Sequence, residues 1–193
     1  MPRPGFLWRH VIINTKNTWL HGDERGFRSR NPNIRSSGDY RHRPPPEEYR
    51  KLREYFEKIA GAEVHFERHL RPIVGRAIAS YLRALRYRVL SVAVGKVHAH
   101  AVVELPEPRA MVKRIIGEAK RVSSRAVKQW LPGSVWAAGG EFVMCESRGH
   151  LKNAVEYVLY DQGPGAWTWS YRDATDEGMF GRKRPRKRLA RRR

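Results

Sequence analysis

Two histidines two residues apart, His98 and His100, are the first side chains in this sequence that could do chemistry. They lie in residues 96–105, KVHAHAVVEL, where valine, alanine and leucine predict a β-strand. Alternate side chains of a strand face the same way, so the two imidazoles should project side by side. Two imidazoles on one rigid face can supply half of a metal site. A third ligand, a substrate and a nucleophile must then come from elsewhere in the chain.

The second candidate group lies on a helix predicted over residues 150–161. One face of this helix is apolar, and a second face carries functional groups at helical spacing. These are His150, Asn153, Tyr157, Tyr160 and Asp161. A tyrosine oxygen is a poor nucleophile at its ordinary pKa of about 10, but a metal or a base makes it competent. The face therefore predicts a nucleophile, with Asp161 as an oxygen ligand for the histidines.

Each of these side chains also has an ordinary structural interpretation. Two nearby histidines are incidental in most proteins, and a tyrosine flanked by apolar helix positions usually packs against a core. Tryptophans such as Trp19, Trp136, Trp167 and Trp169 could stack on unpaired bases, but core or interface packing is the commoner role.

Net charge indicates the class of partner. The chain has 193 residues, and 39 Lys and Arg against 19 Asp and Glu give +20, which favours a polyanion. Residues 182–193 contain nine of the basic side chains, but the rest of the chain is also basic. Predicted contacts with the backbone of such a polyanion come from a polar insertion at 28–46 and from a basic helix. They are Arg28, Arg30, Arg35, Arg41, Arg43, Lys113, Arg114, Lys120 and Arg121.

Other classes of protein fit the composition less well. No apolar run approaches the ~18 residues that a bilayer crossing needs, and the first residues lack the apolar core of a signal peptide. Cys145 is the only cysteine, which leaves no internal disulfide and no cysteine-based zinc site. A reducing cytoplasm and no membrane association are therefore expected, with Cys145 as a small core residue.

The hydrophobic pattern predicts the elements that hold these groups. Strands are predicted at 7–15, 89–94, 97–105 and 141–146, with Gly95 and Lys96 as a two-residue hairpin turn between the middle pair. Helices are predicted at 47–60, 70–85, 109–131 and 150–161. This order predicts an α+β fold, a ferredoxin-like βαββαβ core with an antiparallel sheet and an added C-terminal helix that carries the tyrosine. The histidine strand would lie inside the sheet.

The expected division of the chain follows from the same pattern. Residues 1–165 form a catalytic domain, interrupted by the insertion at 28–46. Residues 166–181 are an extension whose structure the pattern does not assign, and residues 182–193 are a disordered basic tail.

With these features together, the chain resembles the single-tyrosine transposases of the histidine–hydrophobic–histidine (HUH) type. The pattern is most similar to the REP-associated tyrosine transposases and the insertion-sequence-200-type transposases. The resemblance is carried by His98 and His100, by VEYVLYD at 155–161 and by TWLHGDERG at 18–26, and it covers roughly residues 7–162.

The resemblance implies a specific chemistry. His98 and His100 would bind a divalent metal, Mg²⁺ or Mn²⁺, and Tyr157 would attack a phosphodiester of single-stranded DNA. The product would be a 5′-phosphotyrosine link with a free 3′-hydroxyl, and rejoining would reverse the step. In the family an amide four residues after the tyrosine completes the metal site. Here that position is Asp161, with Gln162 as the alternative ligand one residue further on.

The resemblance also implies partners and a location. A homodimer acting on single-stranded DNA with hairpins is expected, in a bacterial cytoplasm and associated with the nucleoid when bound to DNA. The alternative hypothesis is a non-catalytic or domesticated nucleic-acid-binding protein on the same scaffold. A third hypothesis is a rolling-circle or relaxase nickase, although Tyr157 and Tyr160 are closer together than the paired tyrosines usual in such enzymes.

Overall fold

Nine α-helices and strands and one short 3₁₀ turn make up the part of the chain that the computed structural model describes, residues 1–24, 27, 45 and 47–173. The strands are β1 (Phe6–Asn14), β2 (Val89–Val94), β3 (His98–Pro106), β4 (Glu141–Met144) and β5 (Trp167–Ser170). The helices are α1 (Arg50–Ala60), α2 (Leu70–Ala84), α3 (Arg109–Ala126) and α4 (Arg148–Tyr160), and the 3₁₀ turn is Tyr171–Asp173. The predicted α+β class is confirmed.

All five strands form one antiparallel sheet in the order β4-β1-β3-β2-β5. The first four have the order and the βαββαβ connections of a ferredoxin-like sheet, and β3 is the central strand. The strand β5 was not predicted. It pairs with β2 at the edge and buries Trp169, but its four residues are too few to show a period.

Two helices differ from their predicted bounds by three or more residues. The prediction began a helix at residue 47, but residues 47–49 form a turn and α1 begins at Arg50. The prediction ended α3 at residue 131, but it ends at Ala126. Val127 is fully buried just beyond this end, so its apolar character reflects core packing in a turn and not helix continuation.

The β2–β3 hairpin turns one residue later than predicted. Val94 pairs with Ala99, and the backbone N–H of Gly95 donates to the carbonyl of His98 at 2.9 Å. The connecting residues are therefore Lys96 and Val97, whose carbonyls accept hydrogen bonds from neighbouring backbone N–H groups. Gly95 thus stays in register with His98, and β3 starts at the first histidine.

One face of the sheet holds the main core. Ala99, Ala101, Val103 and Leu105 of β3 are buried there with the apolar sides of α2 and α3. Complete burial of one such valine or leucine side chain is worth about 2 kcal/mol, so this layer dominates the stability of the fold.

The opposite face of the sheet carries α4 over a smaller cluster. Ala154 and Val158 of α4 pack with Trp8, Ala93 and Val102 of the sheet. The helix contacts β2, β3 and β5 more extensively than β1. Its edge therefore lies beside β1 and β3, on the face to which His98 and His100 belong by strand alternation.

No helix among the described residues has the length and apolarity that a bilayer crossing requires.

Candidate active site

The strand β3 places its two histidines as strand alternation predicts. His98 and His100 lie on the α4 face of the sheet, with ring centroids 4.8 Å apart and ring planes at 83°. His100 is 5% exposed, and His98 at the strand start is partly buried. Gly95 lies directly across from His98, and a Cβ added there would lie 3.1 Å from Nε2 of His98. The absence of a side chain at Gly95 makes room for the imidazole.

A third histidine, His10, joins the pair and was not predicted. In the antiparallel β1–β3 ladder His10 lies opposite Val102, so it shares the α4 face and is diagonal to His100. Nε2 of His10 lies 2.9 Å from Nδ1 of His100. Alternation within β1 groups Trp8, His10 and Ile12 on one face, but only the strand register shows which face that is.

The helix α4 brings Tyr157 to these histidines within one chain. Its start is capped by Ser147, whose hydroxyl accepts a hydrogen bond from the backbone N–H of His150 at 3.0 Å. Buried Ala154 and Val158 fix the rotation of the helix, and Tyr157 then projects from its edge. The Tyr157 ring centroid lies 5.6 Å from that of His100 and 5.8 Å from that of His10. Tyr157 is 44% exposed, so its ring meets both the histidines and solvent.

The two candidate oxygen ligands have different surroundings. Asp161 is exposed at the C-terminal end of α4. Gln162 is partly buried, and its side-chain N–H₂ group donates to the carbonyl of Tyr157 at 3.0 Å. Its Oε1 atom is buried and has no hydrogen-bond partner in the described part of the chain, although the carboxamide is close enough to His98 to raise the pKa of that histidine. The geometry thus favours Gln162 over Asp161 as the oxygen donor beside His98.

Burial sets the charge state of the three imidazoles. It lowers the pKa of His100 to about 3, with the neighbouring charges of His98 and His10 adding to the effect. It also lowers the pKa of His10, with a further contribution from His150, and that of His98, which Gln162 partly opposes. All three rings are therefore neutral at pH 7, and each retains one nitrogen lone pair.

His98, His100 and Gln162 are the residues that could hold a divalent cation. Their two neutral imidazoles and the unpaired amide oxygen of Gln162 would supply two nitrogen ligands and one oxygen ligand. Imidazole ligands suit Zn²⁺, Fe²⁺, Ni²⁺ and Cu²⁺, whereas Mg²⁺ and Mn²⁺ prefer oxygen ligands, so the amide oxygen is the donor in this set that suits Mg²⁺ or Mn²⁺. No three His, Cys, Asp or Glu side chains of the described residues are grouped to hold a metal ion, and the amide of Gln162 is outside those types.

The predicted DNA contacts on α3 lie on the other side of the sheet. The helix α3 packs on the main-core face, so exposed Lys113 and Arg114 are separated from the histidines by the sheet. Arg121 forms an ion pair with Glu118. Lys120 donates to the carbonyl oxygens of Ala137 and Gly139 at the approach to β4. Arg28, Arg30, Arg35, Arg41 and Arg43, the 28–46 insertion that contains them and the 182–193 tail lie outside the described residues, Pro45 apart.

Comparison with known proteins gives limited information. No protein-family model matches the sequence, and no curated protein matches it. A similar solved structure is that of a REP-associated tyrosine transposase bound to a REP hairpin. It is 13% identical to this chain, and the match covers 94% of this chain and 86% of that one with a TM-score of 0.46. At this identity and TM-score, the likeness says nothing about activity.

Proposed function

We propose that this protein is a metal-dependent single-stranded DNA transesterase, a transposase of the HUH type, with Tyr157 as its nucleophile. One observation carries the proposal: a partly exposed tyrosine lies 5.6 Å, between ring centroids, from a buried neutral histidine of a two-histidine strand. A tyrosine in a purely structural role needs neither neighbouring imidazoles nor access to solvent.

In the proposed reaction Tyr157 exchanges one phosphate ester for another. Its Oη forms a bond to the phosphorus of a DNA phosphodiester while the bond from phosphorus to the 3′ oxygen breaks. The phenol proton is transferred overall to the departing 3′ oxygen, and the DNA remains linked to Tyr157 through its 5′ phosphate. The reverse step, with a 3′-hydroxyl as nucleophile, rejoins the strand and restores the tyrosine.

His98, His100 and Gln162 are proposed to hold the divalent ion, Mn²⁺ or Mg²⁺, with Asp161 as the alternative oxygen ligand. The ion would supply charge stabilisation at the phosphate and make the tyrosine oxygen more acidic. Because the two histidines lie on the central strand, they are held rigidly while the helix presents Tyr157.

Single-stranded DNA with hairpins is the proposed substrate. The net charge of +20 favours a polyanion, and partly exposed Tyr157 at the edge of α4 is accessible to a flexible strand. We propose a homodimer in which each Tyr157 serves the histidines of its own chain.

A covalent-adduct assay tests the proposal. Labelled single-stranded hairpin DNA incubated with the protein and Mn²⁺ should give an adduct that survives denaturing electrophoresis. Tyr157→Phe should give none, whereas the matched Tyr160→Phe, one helical turn away and 63% exposed, should retain it. The proposal fails if the wild-type protein gives no adduct or if Tyr157→Phe still gives one.

The alternative function is non-catalytic nucleic-acid binding on the same scaffold. The observation that favours it is the basic outer surface of α3, where residues 109–128 carry seven basic side chains and one acidic side chain, away from the histidines. The affinity of nucleic acid for this surface would decrease as the salt concentration rises, would not depend on a metal and would be unchanged in His98→Ala. The adduct assay separates the two functions, because only the first gives a covalent adduct, and His98→Ala should abolish that adduct without affecting binding at α3.

A further inference from the structure

The contact between His10 and His100 has the distance of an ordinary hydrogen bond. Nε2 of His10 and Nδ1 of His100 are 2.9 Å apart, the ring centroids are 5.1 Å apart, and the ring planes differ by 30°. The centroid separation is close to the nitrogen–nitrogen distance plus the two ring radii. The two nitrogens therefore lie almost on the line between the rings, so each ring presents its edge to the other.

This geometry excludes a metal ion shared by those two nitrogens. Metal–nitrogen bonds to imidazole are about 2.0–2.1 Å long, so two nitrogens facing each other across an ion would be about 4 Å apart. Two ligands at right angles on one ion would be about 2.9 Å apart, but their rings would then both be tilted towards the ion instead of lying in line. At 2.9 Å only a hydrogen atom fits between them. His10 therefore belongs beside the proposed metal site and not among its ligands.

A neutral imidazole has one N–H donor and one lone pair, so the hydrogen bond can form in two ways. If His10 donates, Nδ1 of His100 accepts and Nε2 of His100 carries the proton, which leaves no lone pair for a metal. If His100 donates from Nδ1, Nε2 of His100 has a free lone pair and His10 carries its proton on Nδ1. Only the second arrangement is compatible with metal binding through His100 Nε2.

We propose that His10 is a positioning residue: it accepts the Nδ1–H of His100 and thereby orients that ring with Nε2 available to the metal. This inference rests on the proposed function, since it assigns a partner to one of the proposed ligands. A hydrogen-bond acceptor behind a ligating histidine fixes the tautomer and the ring orientation and raises the basicity of the ligand. His10 is well placed for this role, because it lies on the strand that pairs directly with β3.

Two variants separate positioning from packing. His10→Gln keeps an acceptor, since its carboxamide oxygen can occupy the place of Nε2, whereas His10→Leu fills similar space without one. Mn²⁺ affinity, measured by electron paramagnetic resonance of the free ion, should fall about 10–100-fold in His10→Leu. It should stay within about threefold of wild type in His10→Gln.

The tautomer itself can be observed without metal. Nitrogen-15 NMR of the metal-free wild-type protein should show His100 protonated on Nδ1, and His10→Leu should shift the proton towards Nε2. The inference is overturned if His100 is protonated on Nε2 in the wild type, if His10→Leu binds Mn²⁺ as tightly as wild type, or if His10→Gln is as impaired as His10→Leu. A wild-type protein that binds no Mn²⁺ would contradict both this inference and the proposed metal dependence, whereas the other outcomes contradict this inference alone.

Discussion

At the scale of single residues, the end of α4 presents two adjacent oxygen-bearing side chains that differ in their burial. The Asp161 carboxylate is exposed, whereas the Gln162 carboxamide is partly buried with its Oε1 unpaired. A buried acceptor without a partner costs free energy, about 1–3 kcal/mol by mutational data, and a bound cation would recover it. Gln162 is therefore better placed than Asp161 to be the oxygen ligand, although a carboxylate is the more basic group.

Removal of each side chain tests this choice. We expect Gln162→Ala to weaken Mn²⁺ binding by about tenfold or more, as loss of a metal-site partner does. Asp161→Ala, its neighbour and matched control, should change the affinity by less than about threefold, because the carboxylate faces solvent. Isothermal titration calorimetry with MnCl₂ measures both. The reverse order of effects would make Asp161 the ligand.

The buried histidines also predict how stability depends on pH. The pKa of His100 is about 3 in the folded protein against 6.5 for the unfolded chain, so between these values the unfolded state binds the extra proton. The free energy of unfolding should therefore fall as pH drops below 6.5 and continue to fall until about pH 3. The lowered pKa values of His10 and His98 act in the same direction.

Urea unfolding at pH 6 and pH 5 measures this dependence. As the pH falls from 6 to 5, the free energy of unfolding of His100→Gln should decrease by about 1 kcal/mol less than that of wild type. The reason is that the variant lacks the imidazole that takes up a proton on unfolding. His65→Gln, a histidine substitution away from the three buried imidazoles, is the control for the substitution itself. Hydrogen bonds from Arg88 and Arg3 outweigh burial and lower the pKa of Glu104 to about 2, so its titration falls below this window. Equal slopes for wild type and His100→Gln would contradict the burial argument.

At this scale the sequence contained part of the site. The placement of His98 and His100 on one face followed from alternation alone. Helical spacing put Tyr157 and Tyr160 on one face, and only the resemblance to the tyrosine transposases singled out Tyr157. His10 could not be found in this way, since its meeting with His100 depends on the register between two strands 90 residues apart in sequence. Gln162 was only a second choice, because helical spacing does not show how the chain turns after the helix ends.

At the scale of elements, the β2–β3 hairpin controls the position of the first histidine. Gly95 faces His98 across the ladder, and its missing side chain leaves space for the imidazole. A Cβ at 3.1 Å from Nε2 is closer than ordinary van der Waals contact, so the ring would have to move by a few tenths of an ångström.

Gly95→Ala therefore tests the hairpin. We expect it to weaken Mn²⁺ binding several-fold through displacement of His98, with the fold retained by circular dichroism. The matched control is Gly117→Ala in α3, whose added Cβ meets nothing within 4 Å and whose helix should gain stability of about 1 kcal/mol. Wild-type metal affinity in Gly95→Ala would show that His98 does not need this space.

Element order was predictable, whereas element edges were not. Short apolar runs identified β1 and β3, and hydrophobic periods identified the helices, of which α2, α3 and α4 bury one face against the sheet. The strand β5 contains only four residues, and its pairing with β2 depends on contacts with the core. Trp169 is buried in that core, and Trp167 packs against Gly75 of α2, where an added Cβ would lie 2.0 Å from the Trp167 ring. Contacts between residues so far apart in sequence produce no hydrophobic period.

At the scale of the whole molecule, positive charge is spread over both sides of the sheet. The outer surface of α3 is basic but lies opposite the histidines, so a strand bound at Tyr157 would have to pass around the sheet to reach it. The composition predicts a polyanion partner from charge alone, but it could not show on which layer each lysine lies. Lys120 is an example: its ammonium group donates hydrogen bonds to two backbone carbonyls, so it has a structural role that the count of positive charges does not reveal.

Charge removal on α3 separates these roles. We expect Lys113→Ala with Arg114→Ala to reduce the slope of log Kd for DNA against log salt by about one per lost phosphate contact, with stability unchanged. Lys120→Ala should instead cost about 2 kcal/mol of unfolding free energy, because two charge-assisted hydrogen bonds are lost. Filter binding between 50 and 300 mM NaCl and urea unfolding measure the two effects. An unchanged salt slope in the double variant would exclude this surface from the DNA interface.

The proposed function depends on a covalent bond between Tyr157 and DNA, and peptide mapping can locate that bond. Adduct formed with hairpin DNA and Mn²⁺ is digested with nuclease and trypsin, and the peptide of residues 153–172 is fragmented in a mass spectrometer. We predict a nucleotide 5′-phosphate on Tyr157. A nucleotide on Tyr160 or Tyr171 of the same peptide, or none on any tyrosine, would contradict the proposal.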